Sequence, residues 1–159
     1  TKAKPSEASR NAIKEYLEKN GITTAPNLTQ CFEADFDGDG KLEQIVAANT
    51  PKNENYVPSF VEDGTKETDG IGSYAVALFV DDNGSAKPVF SEIRPFGGEE
   101  NAYMHYNQNI VINGVYDING DGNYDVCIVY ADWENGHVLV SAMDEKGDYQ
   151  TVLRGNFGA

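Results

Sequence analysis

The chain has 159 residues, of which 40% are hydrophobic and 11% aromatic, enough apolar material for a packed core and too much for a disordered chain. Its formal charge is −14, from 26 acidic against 12 basic residues, which leaves no basic face for nucleic acid or for an anionic membrane surface. No stretch is long and apolar enough to insert across a bilayer, and a start at Thr1 rather than Met is consistent with a trimmed or processed chain.

Residues 6–20, SEASRNAIKEYLEKN, read as one amphipathic helix. Ser6 can cap it, because its hydroxyl can accept from the free N–H groups of the first turn. Ala12, Ile13, Tyr16 and Leu17 recur at helical spacing and form one apolar face. Asn20-Gly21 ends it, since Gly tolerates the left-handed backbone of a helix C-terminus.

Beyond Gly21, short runs rich in β-branched and aromatic residues alternate with Gly, Asn and Asp clusters. Strands are expected near 30–36, 42–49, 73–81, 87–94, 109–117, 124–132, 137–144 and 149–154. DDNG at 81–84 and DEKG at 144–147 lie between apolar runs and supply Gly for hairpin turns. The two cysteines, Cys31 and Cys127, could form one disulfide or stay as two buried thiols.

The sequence repeats internally. Residues 35–43, DFDGDGKLE, align with 117–125, DINGDGNYD, at an offset of 82, and 73–90 align with 136–153 at an offset of 63. The difference is taken up by extra chain in the first half, a polar stretch at 50–69. Each half then reads as a four-stranded antiparallel meander. The expected fold is mainly β: two such repeats, propeller-blade-like, with one N-terminal helix. The chain divides into a helical segment at 5–21, repeat one at 28–95 with its insertion at 50–69, and repeat two at 96–159, within a single domain.

The shared pattern is D-x-[DN]-G-D-G-x-x-[DE], and calcium explains each position. Ca²⁺ takes 6–8 oxygen ligands at about 2.3–2.6 Å. Side chains at positions 1, 3 and 5 converge when the backbone wraps tightly: Asp35, Asp37 and Asp39 in loop one, Asp117, Asn119 and Asp121 in loop two. Gly38, Gly40, Gly120 and Gly122 permit the wrap. Position 7, Lys41 or Asn123, would give a backbone carbonyl and leave its side chain free. Position 9, Glu43 or Asp125, would give a carboxylate. Without a cation, carboxylates this close would raise one another's pKa. The plainer alternative is a pair of Asx-Gly turns without metal, and two aligned copies argue against it. Two calcium ions are therefore expected. An EF-hand is excluded, because its twelfth position needs a bidentate Glu and here holds Val46 or Ile128.

These loops resemble those of FG-GAP and VCBS-type repeats, known from integrin β-propellers and many bacterial exported proteins. The likeness rests on the Asp loops and the apolar strands after them, with looser matches at Ala47-Ala48-Asn49-Thr50-Pro51 and Phe96-Gly97. The resemblance implies calcium-stabilised β structure, secreted or at the cell surface, often in adhesion or polysaccharide-handling proteins. It does not imply catalysis. A full propeller needs at least four blades, and this length holds about two.

Residues for catalysis are few, and no enzyme is expected. Neither the histidines, His105 and His137, nor the cysteines stand at zinc spacing or in a recognisable nucleophile motif. His137 is expected to be a partly exposed filler at a strand start. A carboxylate pair could serve a hydrolase, but metal accounts better for the acidic clusters. A protein or polysaccharide partner is the more credible alternative, as in a carbohydrate-binding accessory module. Trp133, Tyr103, Tyr106 and His105, with Tyr56 and Phe60 in the insertion, are its candidate contacts; the bland reading is that they cover core edges.

Overall fold

A computed structural model describes residues 1–50, 73–94, 109–131 and 135–158. The insertion at 50–69 beyond Thr50, and Trp133, Tyr103, Tyr106, His105, Tyr56, Phe60 and Phe96-Gly97, lie outside the described residues. The described chain is mainly β: one helix, α1 (Glu7–Lys19), then β1 (Leu28–Ala34), β2 (Glu43–Asn49), β3 (Ser73–Val80), β4 (Ala86–Arg94), β5 (Asn109–Tyr116), β6 (Asp125–Ala131), β7 (Asn135–Met143) and β8 (Tyr149–Gly158). Strands β1–β4 form one antiparallel meander and β5–β8 a second. No described helix is long and apolar enough to cross a membrane.

The helix ends follow the residues foreseen. Ser6 caps α1, its hydroxyl accepting from the Ser9 N–H at 3.1 Å. At the other end Gly21 adopts φ 84°, and Gly21 and Ile22 donate back to Glu18 and Leu17. That is a Schellman closure, and its usual apolar contact is made by buried Leu17 and Ile22.

The central strands of the first sheet, β2 and β3, are buried on both faces. One carries Val46, Ala48, Tyr74, Val76, Leu78 and Val80 against Ala12, Ile13 and Leu17 of α1. The other packs against the second sheet through Phe32, Phe36, Ile45 and Phe79 on one side and Ile110, Ile112, Val126, Ile128 and Leu139 on the other. Every residue of β2 is therefore buried, and its sequence lacks a polar face. The outward face of the second sheet instead exposes Val111, Leu153 and Phe157 by 50–55%.

The internal repeat is visible in the register. Residue 34 pairs with 43, and 116 with 125. The bulge between Ala77 and Leu78 recurs between Val140 and Ser141, at the offset of 63. Strand β5 lies at its sheet's edge, yet the outward groups of two of its residues are capped. Gln30 bonds both the N–H and the carbonyl of Ile112, and Asn49 does the same for Ile110. Both cysteines are free thiols, Cys31 buried and Cys127 half-buried, so no disulfide joins the sheets.

Candidate metal centre

Each Asp loop connects the first two strands of its sheet, and the two share one internal design. At loop one, the backbone N–H of Phe36 donates to Glu43 (2.7 Å), Asp39 to Asp37 (3.2 Å), Gly40 to Asp35 (3.0 Å) and Lys41 to Asp39 (2.9 Å). At loop two, Ile118 donates to Asp125, Asp121 to Asn119, Gly122 to Asp117 and Asn123 to Asp121, the same four bonds 82 residues on. Gly38 and Gly40 take φ 74° and 88°, and Gly120 and Gly122 take 79° and 91°. This left-handed backbone at alternate residues turns the side chains of positions 1, 3 and 5 inward, and it strains any residue with a Cβ.

Loop one has the donor set of a cation site. Oxygens of Asp35, Asp37, Asp39 and Glu43 all lie within 4.8 Å of one another. Glu43 is buried, and burial pushes its carboxyl above the ordinary range. The Phe36 N–H opposes that shift, while Asp37, Asp39 and Asp35 reinforce it. Asp35 Oδ1 is fully buried and accepts no hydrogen bond. A buried acceptor left bare costs about 1–3 kcal/mol, more when charged, and a cation among these four carboxylates would satisfy it.

Loop two differs at the equivalent atoms. Asp117 Oδ1 accepts from Gly120 at 2.6 Å and Asp121 at 3.1 Å. The Asn119 amide donates to Asp121 Oδ2 at 2.9 Å, and Asp121 is held below the usual carboxylate range by the Asn123 N–H first and the Asn119 amide next. Hydrogen bonds here answer Asp117 Oδ1, the counterpart of the oxygen that loop one leaves bare.

Two readings of single side chains need correction. The Lys41 side chain is not free: its ammonium pairs with Asp82 of the β3–β4 turn at 2.9 Å and Asp39 at 3.4 Å. His137 is buried rather than partly exposed, stacked on Tyr130 with its Nδ1 2.7 Å from Asn156 Oδ1.

The sequence did not reveal that the two loops touch. The Tyr124 N–H donates to the Phe36 carbonyl at 2.9 Å, and their rings meet edge-on at 5.9 Å. A Cβ on Gly38 would lie 3.7 Å from the Gly122 carbonyl oxygen. The contact is one-sided. Phe36 and Tyr124 occupy loop positions 2 and 8; their counterparts in the other loop, Ile118 and Leu42, are 58% and 63% exposed. Tyr149 closes the junction, its hydroxyl donating to the Tyr124 carbonyl at 3.1 Å. Burial first, then Asp125, Asp37 and Glu43, push its pKa up, which places it beside carboxylates of both loops. Comparison of the chain with family models, curated proteins and solved structures returned no match.

Proposed function

We propose that this chain is a calcium-binding protein whose two Asp loops take one ion each and brace a two-sheet fold that serves interaction or adhesion outside the cell. The observation that carries the reading is Asp35 Oδ1, buried and unpaired within four convergent carboxylates. The donor set is all oxygen, which suits a hard cation. The flexible carboxylates suit Ca²⁺ better than Mg²⁺, which demands a stricter octahedron and keeps its waters. The likeness of both loops to FG-GAP and VCBS-type repeats supports the same ion. The ligands are Asp35, Asp37, Asp39, the Lys41 carbonyl and Glu43 in loop one, and Asp117, Asn119, Asp121, the Asn123 carbonyl and Asp125 in loop two.

The ions serve structure. Each loop ties the first two strands of its sheet, so an ion held there stabilises the folded state by mass action. With free calcium at about 100 times the dissociation constant, a site contributes about 2.7 kcal/mol. Millimolar extracellular calcium reaches that ratio for a constant near 10 μM, and cytosolic calcium does not, which favours a secreted or cell-surface setting.

Thermal unfolding after EDTA treatment, with and without about 2 mM CaCl₂, tests this together with calorimetric titration. By the linkage above, a rise of several degrees and a stoichiometry near two support the reading. No heat and no shift sink it.

A carbohydrate-binding module is the second reading, and one cleft bears on it. It has a volume of about 410 Å³ and is lined by Phe90, Glu92, Tyr130, Leu139 and Arg154 among others. Phe90 and Tyr130 lie 5.3 Å apart there, but Tyr130 is buried and packed on His137, a poor platform for a sugar ring. Among the described residues the lining holds a single carboxylate, Glu92, whereas a hydrolase needs an acid pair.

A further inference from the structure

Resting on the calcium reading, we infer that the two loops form one coupled unit, in which an ion in loop one raises the affinity of loop two. The path is short and made of backbone. The Phe36 carbonyl shares a peptide plane with the N–H of Asp37, a ligand of loop one. The Tyr124 N–H shares a peptide plane with the Asn123 carbonyl, a ligand of loop two. One 2.9 Å hydrogen bond joins those two rigid planes. The next plane along holds the Tyr124 carbonyl and the N–H of Asp125, a third ligand, and the Tyr149 hydroxyl fixes it at 3.1 Å. An ion that orders Asp37 therefore orders the arm of loop two that presents Asn123 and Asp125.

The asymmetry of the loops sets the order of filling. Loop one has four carboxylates and an unpaired buried oxygen, so it fills first. Loop two has three carboxylates, and the Asn119–Asp121 bond must open before an ion enters. Repulsion between the two cations works against coupling. Salt screens that repulsion and leaves the backbone path untouched. Tyr149 acts as a positioning residue: it bonds the Tyr124 backbone and is not itself a ligand.

Calcium titration calorimetry of four proteins tests this: the native chain, a loop-two variant (Asp117→Asn with Asp121→Asn), a loop-one variant and Tyr149→Phe, the last also carrying each loop variant in turn. Each asparagine keeps one of the two accepting oxygens that Asp117 and Asp121 use, so the variant loses two charges and part of its turn bonding, and native-like circular dichroism is the condition for titrating it. Coupling predicts that disabling loop two weakens loop one by about fivefold or more, the lower end of ordinary allosteric coupling. Disabling loop one through Asp37→Asn with Asp39→Asn must weaken loop two by the same factor, because linkage is reciprocal. Tyr149→Phe should keep two sites but bring the factor towards one; a merely structural tyrosine would lower the melting temperature without changing the factor. Two native sites whose affinities ignore each other's loss overturn the coupling and leave the calcium reading standing. No uptake by the native chain overturns both.

Discussion

The side-chain amide of Gln30 on β1 grips the backbone of Ile112 on β5 at both ends, accepting from its N–H at 2.7 Å and donating to its carbonyl at 3.1 Å. An amide is the one side-chain group that offers acceptor and donor at the spacing of a backbone peptide. It stands in for the missing neighbour of an edge strand. Gln30→Leu should cost about 1–3 kcal/mol in urea unfolding, because it leaves two half-buried backbone groups bare. Gln30→Glu should also destabilise at neutral pH, since a carboxylate still accepts from the N–H but faces the carbonyl without a donor. Native stability in both variants would show that water replaces the amide freely.

Gln44 does for the helix what Gln30 does for the edge. Its buried Oε1 accepts from the Ser6 N–H at 2.9 Å and the Ser9 hydroxyl at 2.7 Å, and its Nε2 donates to Glu33 at 2.8 Å. Ser6→Ala removes the cap and the hydrogen bond its hydroxyl donates to Ser9 Oγ at 3.0 Å, but leaves Gln44 in place, and should cost about 1 kcal/mol. Gln44→Leu strands the Ser9 hydroxyl against the sheet and should cost more, about 2–3 kcal/mol. If the two variants prove equal in chemical denaturation, the buried network adds nothing beyond the cap.

Lys41 competes with the proposed ion. Its ammonium neutralises part of Asp39, and both side chains are roughly half exposed. Exposed pairs of this kind are weak, so Lys41→Met should tighten loop one for calcium modestly, by up to about fivefold, while keeping the position 7 carbonyl. The gain should shrink as salt screens the charge. Weaker binding by the variant would show instead that Lys41 holds Asp39 in its ligating position.

The repeat, the helix ends and both loops were legible because each depends on neighbours in sequence. Ser6 and Gly21 act within one turn of themselves, and Gly38, Gly40, Gly120 and Gly122 mark the backbone twist directly. The strands of the second sheet alternate as one-sided strands should: Ile110 and Ile112 are buried while Val111 is exposed. What the chain did not disclose depends on partners far away in sequence. Phe36 and Ile118 occupy the same loop position, yet only Phe36 is buried, because the other loop's Tyr124 lies beside it. Gln30 and Asn49 read as ordinary strand polar residues until β5 is placed against them. Lys41 looks spare until the β3–β4 turn brings Asp82 within 2.9 Å.

The alkaline limb of stability should begin at Cys31. Burial first, and Glu33 beside it, push this thiol from about 9 up to about 11. Below pH 9 the thiol is neutral in both states and the folded protein has its full stability. Between pH 9 and 11 the unfolded chain ionises Cys31 while the folded one keeps its proton. The unfolded state then binds fewer protons, so stability falls as pH rises through this window. Tyr74 and Tyr149, both raised mainly by burial, extend the loss above pH 10. Cys31→Ala should flatten the slope between pH 9 and 10 and leave the steeper tyrosine region in place, whatever its effect on absolute stability. The same burial makes a kinetic forecast. At pH 8 a small alkylating agent should modify half-buried Cys127 of the native chain well before Cys31, and both at similar rates in denaturant. Equal rates in the native state would mean that β1 opens often enough to expose its inward face.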